Sequence, residues 1–200
     1  MSTTKEKILT TALALFAANG YEAVSVSDIA GQLGMTKGAL YKHYKNKRDI
    51  FDSILTRMEQ QDAERARAFA LPEGTLSQME EAYRSASLEQ LTAFSRAQFR
   101  YWTEDDFAAP FRRMLTLEQY RGDEMGRLYQ QYLAAGPLGY VADLLGSLGF
   151  DCPQCRAAEL YAPMFCLYSV YDGAADKAAV TALADACILR WQARLMERAV

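Results

Sequence analysis

Apolar side chains recur at helical intervals along almost the whole of this chain. In the first segment, Ile8, Leu9, Ala12, Leu13 and Phe16 form the single stripe of an amphipathic helix. No alternation of apolar and polar residues is long enough to predict a strand. The pattern therefore predicts an all-α protein. The predicted helices cover residues 4–19, 27–33, 37–44, 47–69, 76–102, 117–133, 138–148, 153–171 and 176–197, with a further helix after an N-cap cluster at 103–106.

Composition excludes several classes of protein. The chain has 200 residues, half of them hydrophobic, and a formal net charge of −3, which is typical of a folded chain rather than a disordered one. No apolar run approaches the ~20 residues of a membrane span, and the polar start lacks the apolar stretch of a secretion signal. We therefore expect a cytoplasmic protein with no membrane partner. Four cysteines in this length do not indicate a disulfide scaffold, and one histidine leaves little material for catalysis, so we expect no enzyme, cofactor or metal site.

Charge is unevenly distributed along the chain. The first 50 residues hold seven basic and four acidic side chains, whereas the remainder is acidic in balance. Between Ile29 and Arg48 there are five basic residues and no acidic one. A basic module on an acidic body suggests a polyanionic partner for that module. An ordinary solvated basic face is the alternative.

Capping residues define a compact N-terminal module. Ser25 and Asp28 have the spacing of a capping box, Gly34 ends the second short helix, and Thr36 is placed to cap the third. Two short helices joined by a tight glycine-containing turn and braced by a longer helix indicate a helix-turn-helix unit. In such a unit the polar edge of the last helix is free to enter a major groove.

The N-terminal block resembles the tetracycline-repressor (TetR) family of bacterial transcription regulators. The residues that carry this resemblance are Ile8-Leu9, Ala12, Leu15-Phe16-Ala17, Gly20-Tyr21, Val26, Ile29-Ala30, the continuous run Leu33-Gly34-Met35-Thr36-Lys37-Gly38-Ala39-Leu40-Tyr41-Lys42-His43-Tyr44-Lys45-Asn46-Lys47, and Ile50-Phe51. The resemblance covers about a quarter of the chain. Beyond it only the length and the helical character match.

The resemblance implies a function and an assembly. It implies a homodimer that binds a palindromic operator in double-stranded DNA, and a repressor that a small-molecule effector releases. It divides the chain into a DNA-binding domain, residues 1–47, and a ligand-binding and dimerisation domain, residues 48–200. The DNA-binding residues that we expect are Ser27, Thr36, Lys37, Gly38, Tyr41, Lys42, His43 and Lys47. Tyr44 is expected in the core of the module, and for Thr36 a purely capping role stays open.

The second domain offers two less specific sets of residues. Aromatic and apolar side chains suggest one wall of a ligand pocket, namely Phe99, Trp102, Phe107, Phe111, Met114 and Tyr129. Helically spaced residues of the last two helices suggest a dimer interface, namely Leu160, Met164, Leu167, Tyr171, Leu183, Cys187 and Trp191. For both sets the alternative is ordinary core within one subunit.

The cysteines leave a rival hypothesis. Cys152 and Cys155 form a CxxC motif, which is compatible with redox chemistry when it lies at a helix N-terminus. A four-cysteine zinc site within one subunit is disfavoured, because Cys155 and Cys166 would lie roughly 16 Å apart on one helix at ~1.5 Å per residue. A redox-responsive regulator, or an activator, therefore remains the alternative to the ligand-released repressor.

Overall fold

The computed structural model describes residues 3–198, and over that range it contains eleven α-helices and no strand. The all-α prediction is therefore confirmed. The helices are α1 (Thr4–Asn19), α2 (Val26–Gln32), α3 (Lys37–Leu40), α4 (Lys47–Ala68), α5 (Glu80–Ser85), α6 (Leu88–Glu104), α7 (Ala108–Glu118), α8 (Asp123–Leu133), α9 (Ala135–Ser147), α10 (Pro153–Gly173) and α11 (Lys177–Arg198).

The helices form two compact units. The first contains the chain up to Gln61 together with Asp106–Tyr129, and the second contains Asp62–Asp105 together with the chain from Gln130 onward. Helices α4 and α8 contribute residues to both units. The predicted boundary between a DNA-binding domain and a ligand-binding domain, at residues 47 and 48, stays a prediction, because the two units are defined by how the chain packs and not by what it binds.

The first unit is built around the apolar stripe of α1. All five stripe residues predicted from the sequence are buried. The helix begins at its cap Thr3, whose side chain accepts from the Glu6 N–H at 3.2 Å, and ends at Gly20. Apolar side chains of α7, including the fully buried Phe111 and Met114, belong to the same unit. A helix from the middle of the chain is therefore part of the unit that contains the helix-turn-helix.

In the second unit, α6, α10 and α11 are joined by aromatic and polar contacts. The Phe99 ring stacks on the Tyr168 ring with centroids 5.4 Å apart. The buried Trp191 indole N–H donates to the Arg156 carbonyl at 3.0 Å. Arg96 and Arg100 of α6 both donate to the Asp185 carboxylate of α11. These contacts define the relative register of the three helices.

Two predicted helical segments were wrong in extent. The predicted helix over 76–102 is interrupted, because Ser87 caps α6 through a capping box with Gln90, with hydrogen bonds of 3.1 and 2.7 Å. A hydroxyl and an amide three residues apart satisfy the first N–H groups and so start a new helix within an otherwise periodic stretch. The predicted cap cluster at 103–106 is also wrong, since α6 continues to Glu104 and Phe107 precedes α7 without a side-chain cap.

Three other boundaries differ from the sequence prediction. Residues 119–122 separate α7 from α8, so the helix predicted over 117–133 is not continuous. Helix α9 begins at Ala135, which places Gly136 and Pro137 in its first turn, where proline costs no hydrogen bond. The third helix ends at Leu40 and continues as a turn, instead of reaching Tyr44.

Within the part of the chain that the structure describes, no helix is both long and apolar enough to span a membrane. The same residues contain no cluster of three or more histidine, cysteine, aspartate or glutamate side chains arranged to hold a metal ion.

The Asp185 ion pairs predict a pH-dependent contribution to stability. Hydrogen bonds from Arg96 and Arg100 lower the pKa of Asp185 from 3.8 to about 2. A carboxyl group whose pKa is lower in the folded than in the unfolded state stabilises the fold. This contribution is fully present when the pH is above the unfolded-state pKa, and it is lost as the pH falls from about 4 towards 2. Asp185→Asn should therefore lower the free energy of unfolding by about 1 kcal/mol at pH 7. The expected loss is no larger because both arginines are more than one-third exposed and solvent screens their charges.

Urea unfolding between pH 7 and pH 3 measures this difference. Glu197→Gln, which removes an exposed carboxylate from the same helix, should leave the profile unchanged. If Asp185→Asn lowered the free energy of unfolding equally at every pH, the ion pairs of Asp185 would not be the source of the pH dependence.

Candidate nucleic-acid interface

Helix α3 and the turn after it are held by buried side chains on one edge only. The Thr36 hydroxyl accepts from the Ala39 N–H at 3.2 Å, which starts the helix. Leu40 is fully buried, and the buried Tyr44 donates its hydroxyl hydrogen to the Lys5 carbonyl at 3.3 Å. The predicted core position of Tyr44 is confirmed. The opposite edge of this segment is left to solvent.

The exposed edge carries the residues predicted to contact DNA. Thr36, Lys37, Gly38, Tyr41, Lys42 and His43 are all exposed, as is Ser27 on α2. The Lys37 ammonium lies 5.8 Å from the centroid of the Tyr41 ring. A Cβ added at Gly38 would have no neighbour within 4 Å, so the backbone itself is accessible there. Together these side chains form what we call the α3 edge.

Only part of the basic charge of this module is free to act on a partner. Among residues 3–198, Lys37, Lys42 and Lys45 make no ion pair with a carboxylate. Lys47 and Arg48 do, and their charges are compensated within the protein. Lys5 and Lys7 of α1 are exposed and make no such pair either. Three of the five lysines of the module without an ion pair therefore lie on the α3 edge or on the turn that follows it.

Lys47 differs from the other predicted contact residues. Its ammonium donates to the Tyr21 carbonyl at 2.9 Å, lies 3.5 Å from the Glu22 carboxylate and 4.3 Å from the centroid of the Tyr21 ring. These contacts connect the start of α4 to the turn between α1 and α2. A phosphate contact by Lys47 stays a prediction, and the structure adds a bracing role.

Arg48 connects α4 to the first turn of α8. Its guanidinium makes two parallel hydrogen bonds to the Glu124 carboxylate, both 2.7 Å long, and a third to Asp52 at 2.7 Å. The bidentate pair lowers the pKa of Glu124 and raises that of Arg48. Such paired geometry is the stronger form of a surface ion pair.

A second link joins the end of α7 to the turn after α1. The Glu118 carboxylate is only 1% exposed, accepts from the Tyr21 N–H at 3.1 Å and pairs with Arg121 at 3.1 Å. Gly20, with φ of +88°, lies against this pair, so that an added Cβ would be 2.6 Å from Glu118 Oε1. Sequence reasoning missed Glu118 and Glu124, because the first contacts a residue 97 positions away and no local pattern reports such a partner.

The predicted ligand-pocket residues are distributed over both units. Phe99 and Trp102 lie in the second unit, and Phe107, Phe111, Met114 and Tyr129 lie in the first. All six are buried, and each group is part of the core of its own unit. That they line one ligand pocket stays a prediction.

Most of the predicted dimer residues are already covered within one subunit. Leu160, Met164, Leu167, Tyr171 and Trp191 are each 7% exposed or less, which matches the core alternative that their spacing left open. Leu183, by contrast, is 51% exposed and Cys187 is half-buried. The large apolar side chains that α10 and α11 leave exposed are Phe165, Val170, Leu183, Leu189 and Met196.

Comparison with known proteins identifies the segment that carries the α3 edge. Residues 8–54 match the family described as bacterial regulatory proteins, tetR family. The transcriptional regulator AcrR of Shigella flexneri is 43% identical over 51 residues, which are 26% of this chain and 24% of that protein. The chain therefore aligns with about a quarter of the length of such a curated relative, and the aligned quarter contains the helix-turn-helix.

Solved structures share the fold over more than nine-tenths of the chain. The fatty acid degradation regulator FadR of Bacillus halodurans has a TM-score of 0.63 and 19% identity, with 96% of each chain covered. SmeT, the repressor of a multidrug efflux pump in Stenotrophomonas maltophilia, has a TM-score of 0.58 and 21% identity, covering 94% of this chain and 89% of its own. SmeT has also been solved as a complex with triclosan.

The contact between Gly20 and Glu118 predicts a costly substitution. Gly20→Ala would combine an unfavourable positive φ with a methyl group 2.6 Å from Glu118 Oε1 and 2.7 Å from Arg121 Nη1. Glu118 cannot move without losing the Tyr21 N–H, so we expect a loss of roughly 2–3 kcal/mol in the free energy of unfolding. Urea denaturation measures it.

Gly34→Ala provides the matched control. Gly34 also has a positive φ, +63°, but an added Cβ there has no neighbour within 4 Å, so only the conformational cost of about 1 kcal/mol remains. Equal losses for the two variants would show that the Glu118 carboxylate does not restrain the turn.

Proposed function

We propose that this chain, whose residues 8–54 match the tetR family of bacterial regulatory proteins, is a sequence-specific DNA-binding transcription regulator that acts as a repressor. The observation that carries the proposal is the α3 edge. It is a polar surface with uncompensated lysines, fixed from behind by Leu40 and Tyr44. Repression is supported by SmeT, which shares the fold and is the repressor of an efflux pump.

Each residue of the α3 edge has a separate role in this proposal. Lys37 and Lys42 neutralise phosphates or reach a base edge in the major groove, and Gly38 lets the backbone approach the duplex closely. The Tyr41 hydroxyl, His43, Thr36 and Ser27 donate to backbone phosphates. Phosphate contacts supply most of the affinity, and the few groove contacts select the sequence.

We propose that the active form is a homodimer on a palindromic operator, with the interface on the outer face of α11. Along this helix Ala182, Ala186, Leu189, Ala193 and Met196 are all exposed and follow alternating spacings of four and three residues, the spacing that pairs helices along a seam. Three alanines let the paired helices approach closely. A two-fold pair presents two α3 edges to half-sites about 34–36 Å apart.

We propose that a small-molecule effector releases the repressor from DNA. The Glu118 and Arg48–Glu124 links connect α7 and the first turn of α8 to the helix-turn-helix within one unit. Effector binding that shifts α7 would therefore change the position of the α1–α2 turn and of α4. The complex of SmeT with triclosan supports an effector of this kind. Since the proposed operator is part of bacterial DNA, we propose that the protein acts in the cytoplasm.

Selection from a random DNA pool tests the proposal. The full chain should enrich one palindromic sequence at low salt, and competition with small molecules should then identify compounds that release that duplex. Failure to enrich any duplex would overturn the assignment.

The free lysines of the α3 edge predict a change in salt dependence. Lys37→Ala and Lys42→Ala should each weaken binding to the selected duplex and reduce the slope of log affinity against log salt by about one for each phosphate that is no longer neutralised. Fluorescence anisotropy across a salt series measures both quantities. Lys177→Ala, which removes an exposed lysine from the second unit, is the matched control. Unchanged affinity in both edge variants would place the DNA contact away from the α3 edge.

The exposed stripe on α11 predicts the oligomeric state. Leu189, 44% exposed in the subunit, should become buried in the pair, so Leu189→Glu should convert a dimer of 22.4 kDa subunits into monomers that bind the operator far more weakly. Arg194→Glu introduces the same side chain at an exposed position beside the stripe and should remain dimeric. Sedimentation equilibrium distinguishes these outcomes, and a dimeric Leu189→Glu would place the interface elsewhere.

A further inference from the structure

The CxxC motif formed by Cys152 and Cys155 takes no part in the proposed DNA binding. Cys152 is the N-cap of α10 and Cys155 occupies the third helical position, with Pro153 opening the first turn. Both thiols are free and exposed. Cys166, also exposed, lies about three turns further along the same helix. The pair is therefore accessible to a dissolved reactant.

Cys152 and Cys155 lie within one turn at the start of α10. The Arg156 N–H donates to the Cys152 carbonyl at 3.1 Å, which closes the turn that contains both cysteines. Residues three apart at the start of a helix have Cα atoms about 5 Å apart, within the ~4.4–6.8 Å that a disulfide spans. Closing a bond between these sulfur atoms therefore requires little movement of the backbone.

The first turn of α10 is a rigid support for the pair. Arg156, directly after Cys155, has its carbonyl bound by the buried Trp191 indole at 3.0 Å. Its guanidinium pairs with Asp151, directly before Cys152, at 2.9 Å. The chain on both sides of the motif is thereby fixed, and the two thiols remain adjacent without losing further conformational entropy when they react.

The environment gives the two thiols different roles. The neighbouring Cys152 side chain raises the pKa of Cys155, so Cys155 keeps its proton longer. Cys152 lies one turn before it, at the N-cap of α10. Cys152 is consequently the attacking thiolate, and Cys155 is the residue that resolves the intermediate.

We propose that Cys152 and Cys155 form a reversible disulfide in reaction with a hydroperoxide. The Cys152 thiolate attacks one peroxide oxygen, the O–O bond breaks, and the departing oxygen takes a proton. This leaves a sulfenic acid on Cys152. The Cys155 thiolate then attacks that sulfur, the S–O bond breaks, and hydroxide leaves and becomes water. Two thiols lose two electrons and two protons, and hydrogen peroxide is reduced to two molecules of water.

Hydrogen peroxide added to the reduced full-length chain tests this site. Free thiols should fall from four to two, the mass should decrease by two hydrogen atoms, and peptide mapping should join Cys152 to Cys155. Dithiothreitol should restore all four thiols. Phenylarsine oxide, which bridges two neighbouring thiols, should bind once per chain before oxidation and not after it.

Single substitutions separate the pair from an ordinary exposed cysteine. Cys166→Ser should oxidise at an unchanged rate, whereas Cys152→Ser should slow loss of the remaining thiols on the order of tenfold. Cys155→Ser should accumulate a sulfenic acid on Cys152. A disulfide that involves Cys166 or Cys187, a bond between two chains, or equal rates in all variants would overturn the proposal. All these positions except Cys187 are exposed, so the substitutions leave the core intact.

Discussion

The candidate interface depends on the burial of two side chains behind a helix that is too short to be stable alone. Helix α3 has four residues, and a single turn does not repay the entropy of helix nucleation. Leu40 and Tyr44 anchor it to the core of the first unit, and the Thr36 hydroxyl supplies a missing hydrogen-bond acceptor at its start. Because the anchor occupies one edge, Lys37, Tyr41 and Lys42 are held on the other edge in a defined arrangement before any partner binds.

Electrostatics then determines which cations of the module remain available. Lys47 and Arg48 are adjacent in sequence to the free lysines, yet the Glu22 and Glu124 carboxylates compensate them. They brace α4, and the positive field of the module comes from the lysines without such partners. The net charge of −3 is compatible with a polyanionic partner for this reason, since the field that acts on a nearby phosphate is local and screened beyond about 8–10 Å.

Features encoded over a few residues could be predicted from the sequence, and features that depend on distant partners could not. The caps at Ser25 and Thr36 and the stripe of α1 are local, and the structure confirms them. The apolar spacing of residues 76–102 concealed the break at Ser87, because periodicity reports a buried face and not its continuity. Likewise, the helical spacing of Leu160 and Trp191 indicated burial, but it did not distinguish burial within one subunit from burial between two.

Helix α11 shows both kinds of surface, one buried within the subunit and one available to a second subunit. In α11 the core side is satisfied by Trp191 and Leu195, which are both 1% exposed, and Ala182, Leu189 and Met196 occupy the side away from that core. A helix apolar on two opposite sides can bury only one of them against its own chain. The outer side therefore gains stability only when another surface covers it, and a second copy brings a matching stripe by symmetry. Pairing through α11 would then produce a dimer that carries two α3 edges.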